Sequence, residues 1–191
     1  MQAAGSFGKN AREFELGLEH GFGLIELVVT MAIAAVLLAL AIPSFREIGM
    51  RMNLTENNND LIGALTTAKS QAVKLGVQAG VVGLSGGNDW SSGWQVRVDS
   101  NNDNALTTAD TIIATYPAVA NQYKITSKVT GGADAQVIFS SLGYLLAPAT
   151  LADINVCRPD HNAAESLWIH VTSSGEVKSQ RNTSTSPAPG C

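Results

Sequence analysis

The distribution of apolar residues passes through three regimes along the chain. From Leu27 to Ile42 every position is apolar except Thr30. A helix that is greasy on all faces is not one that packs by a single stripe on a soluble core. Counted from Phe22, the run reaches the roughly twenty residues that span a bilayer. Beyond Pro43 the pattern becomes amphipathic. Leu61, Leu65, Ala68, Ala72 and Leu75 recur at steps of four and three and form one stripe, which Ile62 and Val73 widen. Gly76 is a stop signal for this second half. The pattern predicts one long helix from about 22 to 75. Gly49 and the polar segment Thr55–Asn59 are candidate interruptions. Pro43 is compatible with either a kink or the end of the span.

From Val77 onward the period is two. The candidate strands are 77–84, 93–99, 111–116, 123–129, 135–140, 153–157, 167–172 and 176–181, separated by Gly, Asn and Pro clusters. Ser173-Ser174-Gly175 reads as a hairpin turn. Together these elements predict an α+β fold, with the long helix lying on antiparallel sheet. Trp90, Trp94 and Trp168 are expected in the core or in the seam between helix and sheet.

One carboxylate, Glu26, stands at the head of the apolar run. Placing a charge in a bilayer costs about 2.5–3.5 kcal/mol even on the mildest scale, so such a residue marks a site with a partner. A cut after Gly21 would give Phe22 a new ammonium group about one helical turn from Glu26. The two charges would neutralise each other, within one chain or between neighbours, most strongly where the dielectric is low.

Residues 21–29, Gly-Phe-Gly-Leu-Ile-Glu-Leu-Val-Val, resemble the processing site of type IV pilins and type II secretion pseudopilins. The resemblance implies that prepilin peptidase cleaves after Gly21, that Phe22 becomes N-methylated, and that Glu26 guides assembly. Gly23 departs from the threonine often found there. A signal anchor is the plainer alternative for the hydrophobic run. The later motifs follow the order of the GspH/FimT/FimU group: Asn59-Asp60-Leu61, Ala68-Lys69-Ser70, Asp89-Trp90 with Gly93-Trp94, Asp99-x-Asn101, Phe139-Ser-Ser-Leu-Gly143 and Cys157-Arg158. The resemblance divides the chain into a leader (1–21), a transmembrane and assembly helix (22–43) and a periplasmic domain (44–191). It implies a single-pass inner-membrane protein, later incorporated into a pilus or pseudopilus. Its implied partners are other minor pilins, the major pilin, prepilin peptidase and the inner-membrane assembly platform.

Charge adds little. Twelve Lys and Arg against sixteen Asp and Glu give a net of −4. Loss of residues 1–21 removes Lys9 and Arg12 together with Glu13, Glu15 and Glu19, leaving ten cations and thirteen carboxylates. A general nucleic-acid binder would be basic. Lys9 and Arg12 fit a positive-inside leader only weakly, since Arg46 and Arg51 flank the other end.

The two cysteines, Cys157 and Cys191, both fall in the part that the resemblance places in the oxidising periplasm. A disulfide is the default there, and two unpaired thiols are the alternative. Some FimT proteins bind DNA through a Gly-Arg-x-Arg arrangement near the C-terminus. The matching stretch here is Gly175-Glu176-Val177-Lys178, with Arg181 beyond. Glutamate replaces the first arginine and lysine the second, which loses the bidentate fork. Lys178 and Arg181 remain candidate phosphate contacts, but a solvated edge strand is the favoured explanation of both. Asp99, Asn101, Asp103 and Asp110 fall at positions one, three, five and twelve of a calcium-loop pattern. Asn104 stands where that pattern needs glycine, and an ordinary polar loop accounts for the same residues. His20, His161 and His170 show no metal-ligand spacing. No cofactor, metal or enzymatic activity is expected. The functional readings are therefore a minor pilin that primes or caps a type IV pilus, an H-type pseudopilin, and a DNA-binding minor pilin for natural transformation.

Overall fold

The computed structural model describes residues 23–103, 105–120, 122–160, 162–181 and 191. The element order is α1 (Leu24–Leu75), β1 (Ala79–Gly83), β2 (Trp94–Val98), β3 (Thr111–Tyr116), β4 (Lys124–Thr130), β5 (Gln136–Phe139), β6 (Leu151–Cys157), a short 3-10 turn (Ala163–Glu165), β7 (Leu167–Thr172) and β8 (Val177–Arg181). Contacts divide the chain after Ser44, so the first part of α1 is one unit and Phe45–Cys191 is the second.

In the first unit α1 opens on Gly23, whose carbonyl accepts the N–H groups of Glu26 (3.0 Å) and Leu27 (3.2 Å). The large apolar side chains from Leu24 to Ile42 are all exposed. The helix passes through position 43 without a break, so what ends there is the apolar run and not the helix.

In the second unit, α1 supplies Leu54, Leu61, Ala64, Leu65, Ala68 and Ala72 to one core cluster, which it shares with both sheets. The helix is continuous, as expected, and neither candidate interruption, Gly49 or Thr55–Asn59, breaks it. Buried Asn58 continues the stripe, and Ser179 Oγ donates to its Oδ1 at 2.9 Å. The stripe therefore starts earlier than the sequence pattern indicates. It also ends earlier, because Leu75 and Val73 are exposed. Leu75 is the last helical residue, beside the turn that Gly76 makes with φ 72°.

The eight strands form two antiparallel sheets, ordered β3-β2-β1-β5 and β4-β6-β7-β8. Alternation sends Ala79, Val81, Trp94, Val96, Val137 and Phe139 inward from the first sheet. Ile125, Val129, Ala152, Ile154, Val156, Ile169 and Val171 point inward from the second. The β1–β2 loop joins the sheets, with Trp90 N donating to Ile125 O at 2.9 Å and Ser127 N to Asn88 O at 2.8 Å. Trp90 is fully buried and donates its Nε1 to Asp134 O at 3.1 Å. It packs so closely on Gly83 that a Cβ there would lie 2.5 Å from the ring.

Trp94 is likewise buried, stacked on Tyr116 with centroids 5.3 Å apart. Trp168 is a correction to the expected core. Ile169 and Val171 take the inward positions of β7, so Trp168 lies half-buried on the opposite face beside His170.

Candidate assembly site

Gly21 and Phe22 lie outside the described residues, as do His20, Asn104, His161 and the tail 182–190. Glu26 is described, in the exposed first turn of α1. Leu24, Ile25, Leu27, Val28 and Val29 are all exposed around it. Thr30, the one polar residue further on, donates its hydroxyl to Leu27 O at 2.9 Å and so hides its own polarity. Among the described residues α1 is the one helix long and apolar enough to cross a membrane.

The second unit carries a cluster of charges centred on Arg158, whose side chain is only 2% exposed. Its guanidinium grips Glu47 with both arms, Nη1 to Oε1 at 2.9 Å and Nη2 to Oε2 at 2.8 Å. Nη2 also donates to Asp160 Oδ2 at 2.9 Å. Arg51, one turn beyond Glu47, donates Nε to Glu47 Oε1 at 2.9 Å. Glu165 faces Arg181 at 3.0 Å and reaches Arg51 and Arg158 at 3.7 Å each. Hydrogen bonds from Arg158 and then Arg51 lower the Glu47 pKa from 4.5 to about 2. The same Glu47 contact raises the Arg158 pKa above its ordinary value. Two-armed arginine–carboxylate pairs are directional as well as strong. This one fixes residue 47 of α1 to the segment that follows β6.

Cys157 ends β6 and is bonded to Cys191, with Cα atoms 5.5 Å apart across a sequence separation of 34. Periodicity along the chain does not reveal the Arg158 cluster. Cys157-Arg158 was visible as a motif, but its partner Glu47 lies 111 residues away.

The family model for "Type II transport protein GspH" matches residues 57–175, and the prokaryotic N-terminal methylation motif matches residues 18–42. The chain belongs to the GspH family. It is thus a minor pilin or pseudopilin of the type IV superfamily. Its fold is similar to that of the type IV minor pilin FimU of Pseudomonas aeruginosa (strain PAO1), at 19% identity and a TM-score of 0.57, covering 74% of this chain and 96% of that one. It is also similar to the minor pseudopilin EpsH from the Type 2 Secretion System of Vibrio cholerae, at 8% identity and a TM-score of 0.50, covering 68% and 97% respectively. No curated protein gave a significant match.

Two motifs of this GspH-family chain, Ala68-Lys69-Ser70 on α1 and Phe139–Gly143, meet at the β7–β8 turn. Lys69 Nζ donates to Gly175 O at 2.8 Å. The Phe139–Gly143 turn lies against the same place, since a Cβ on Gly175 would overlap Gly143 O. Gly175 has φ 72° and turns β7 into β8, as the hairpin reading expected.

Lys178 and Arg181 both sit on β8, more than 60% exposed. Each has a carboxylate partner, Lys178 with Glu176 at 3.1 Å and Arg181 with Glu165 at 3.0 Å. His170 Nδ1 is 2.8 Å from Asp153 Oδ1.

In the 99–110 loop the acidic side chains hold the loop's own backbone. Asp99 Oδ1 accepts from Asp103 N at 3.2 Å, Asp103 Oδ1 from Ala105 N at 2.9 Å, and Asp110 from both Ser100 N and Thr107 N. Side chains that could hold a metal do not gather in groups of three among the described residues.

Proposed function

We propose that this chain is a structural minor pilin that helps prime or cap a type IV pilus, anchored in the inner membrane by α1 with its second unit in the periplasm. The observation that carries the reading is the first part of α1: Leu24–Ile42 is apolar, exposed and inside the N-methylation motif, with a single carboxylate in its first turn. Cleavage after Gly21 by prepilin peptidase would expose the amine of Phe22, which becomes methylated. The apolar helix first resides in lipid. During extrusion it bundles with the helices of other minor pilins and the major pilin, and Glu26 pairs with a neighbour's ammonium group. Low dielectric makes that pair strong and penalises any register in which Glu26 lacks a partner.

The second reading, an H-type pseudopilin in a secretion filament, draws support from the GspH family match and uses the same helix chemistry. We do not extend the proposal to DNA. Two cations already paired with Glu176 and Glu165 offer little affinity for phosphate at physiological salt.

The test is incorporation. The full-length chain should appear in the sheared-filament fraction of its host, while Glu26→Ala should remain in the membrane fraction at undiminished level. Wild-type amounts of Glu26→Ala in filaments would remove the role given to this residue.

A further inference from the structure

A cavity of about 220 Å³ lies between α1 and the segment joining β3 to β4. Asn53, Glu56, Asn57 and Asp60 line its helix side. Their spacing puts them on one face of α1, in and beside the polar segment Thr55–Asn59. Trp94, Tyr116 and Tyr123 line the other side, together with residues 117–120. Asn53, Glu56 and Asp60 are exposed and form the mouth, whereas Trp94 and Tyr123 are buried behind them. Glu56 and Asp60 belong to no ion pair, and no Lys or Arg is found among the described lining residues.

The buried part of the lining holds an unmet donor. Trp94 is 1% exposed, and its Nε1 is buried without a hydrogen-bond partner. The other two tryptophans are both satisfied, Trp90 by Asp134 O and Trp168 by Asp153 Oδ1, at 3.1 Å each. The Tyr123 hydroxyl is committed as well, donating to Met50 O at 3.2 Å. A buried indole N–H normally finds an acceptor. An occupant that completes this cavity therefore brings an acceptor to its buried part and donors to its acidic mouth.

The lining selects against charge. An anion would meet two carboxylates and no cation. A cation would satisfy Glu56 and Asp60 but, being a donor, would leave the Trp94 N–H unmet. A purely apolar group would leave both unmet. A hydroxyl both donates and accepts, so several hydroxyls on one frame can meet the carboxylates, the carboxamides of Asn53 and Asn57, and the indole together. Small-molecule sites usually run to about 300–1,000 Å³, so this cavity has room for about one ring. We propose that the cavity binds a single pyranose ring, either a free sugar or the end residue of a glycan. Its hydroxyls donate to Glu56 and Asp60 and accept from Trp94 Nε1, and its ring carbons lie on the aromatic lining. Every described lining residue belongs to the second unit, so the assignment stands whether or not the first part of α1 is a membrane anchor.

Nitrogen-edited NMR of the full-length protein tests this, in micelles of a polyoxyethylene detergent that carries no sugar. The three tryptophans give three indole N–H signals, and any two of Trp90→Phe, Trp94→Phe and Trp168→Phe assign all three. The probes are glucose, galactose, mannose and N-acetylglucosamine at tens of millimolar. At least one should shift the Trp94 signal saturably and leave those of Trp90 and Trp168 in place. The combined Glu56→Gln and Asp60→Asn variant should bind that sugar about tenfold more weakly, since hydrogen bonds to charged groups are the stronger ones. Failure of all four sugars to move the Trp94 signal, equal movement of all three signals, the same response to glycerol, or unchanged affinity in the variant would overturn the proposal. A response to N-acetyl-lysine amide alone would assign the cavity to a cation and overturn it too. Tighter binding of a disaccharide than of its monosaccharide would support a glycan end, and equal binding would support a free sugar.

Discussion

Arg158 has a side chain almost wholly withdrawn from water, and it remains charged because Glu47 and Asp160 meet its guanidinium at 2.8–2.9 Å. Glu47 is more than a third exposed, so its share of the clasp is screened by solvent. The direction of its pH dependence still follows. Its pKa is about 2 in the fold against an ordinary 4.5. A depressed carboxylate pKa contributes stability above the ordinary value, and that contribution is lost as pH falls through the folded one. Thermal unfolding measured from pH 7 downward should therefore show a decline between about pH 4.5 and about pH 2 that is reduced in Glu47→Gln. An unchanged pH profile in the variant would show that the clasp carries no linkage. At this scale little was legible beforehand. Glu26 stood out because an isolated charge in an apolar run is conspicuous in one dimension. Glu47 did not, because its partner is distant in sequence and its neighbours are ordinary helix-surface residues. Lys178 and Arg181 were visible as cations, but Arg181's partner Glu165 lies in a turn that periodicity does not reveal.

At the scale of elements, α1 and the strands were readable because their burial repeats with the geometry of the backbone. The spans of β3 and β7 coincide with their alternating segments, and the other strands differ at their ends only. Which strands share a sheet was not readable, since β5 pairs with β1 across the whole of β2–β4. Asn58 was the instructive miss. A polar residue reads as a gap in a stripe, yet a side-chain hydrogen bond from Ser179 lets it sit buried within one. Leu65, fully buried at the centre of that stripe, should cost about 2–5 kcal/mol on change to alanine, measured by denaturant unfolding of the second unit. Cys191→Ser should cost about 3–4 kcal/mol, because the bond it removes closes a long loop in the unfolded chain. Equal stability with and without reductant would contradict that expectation.

For the molecule as a whole, the contrast between its two units is the main fact. Phe45–Cys191 buries its apolar residues in one core shared by α1 and two sheets. The helix before it leaves every large apolar side chain from Leu24 to Ile42 open. Exposed apolar surface of that extent, on all faces of a helix, requires lipid or other helices around it. The central claim is that this helix is first a membrane anchor and then, once trimmed at its head, an assembly element. Intact-mass analysis of the protein purified from cells with active prepilin peptidase tests it most directly. The account predicts a chain beginning at Phe22 with one added methyl group on its nitrogen. A chain that retains residues 1–21, or that begins beyond the apolar run, would contradict it.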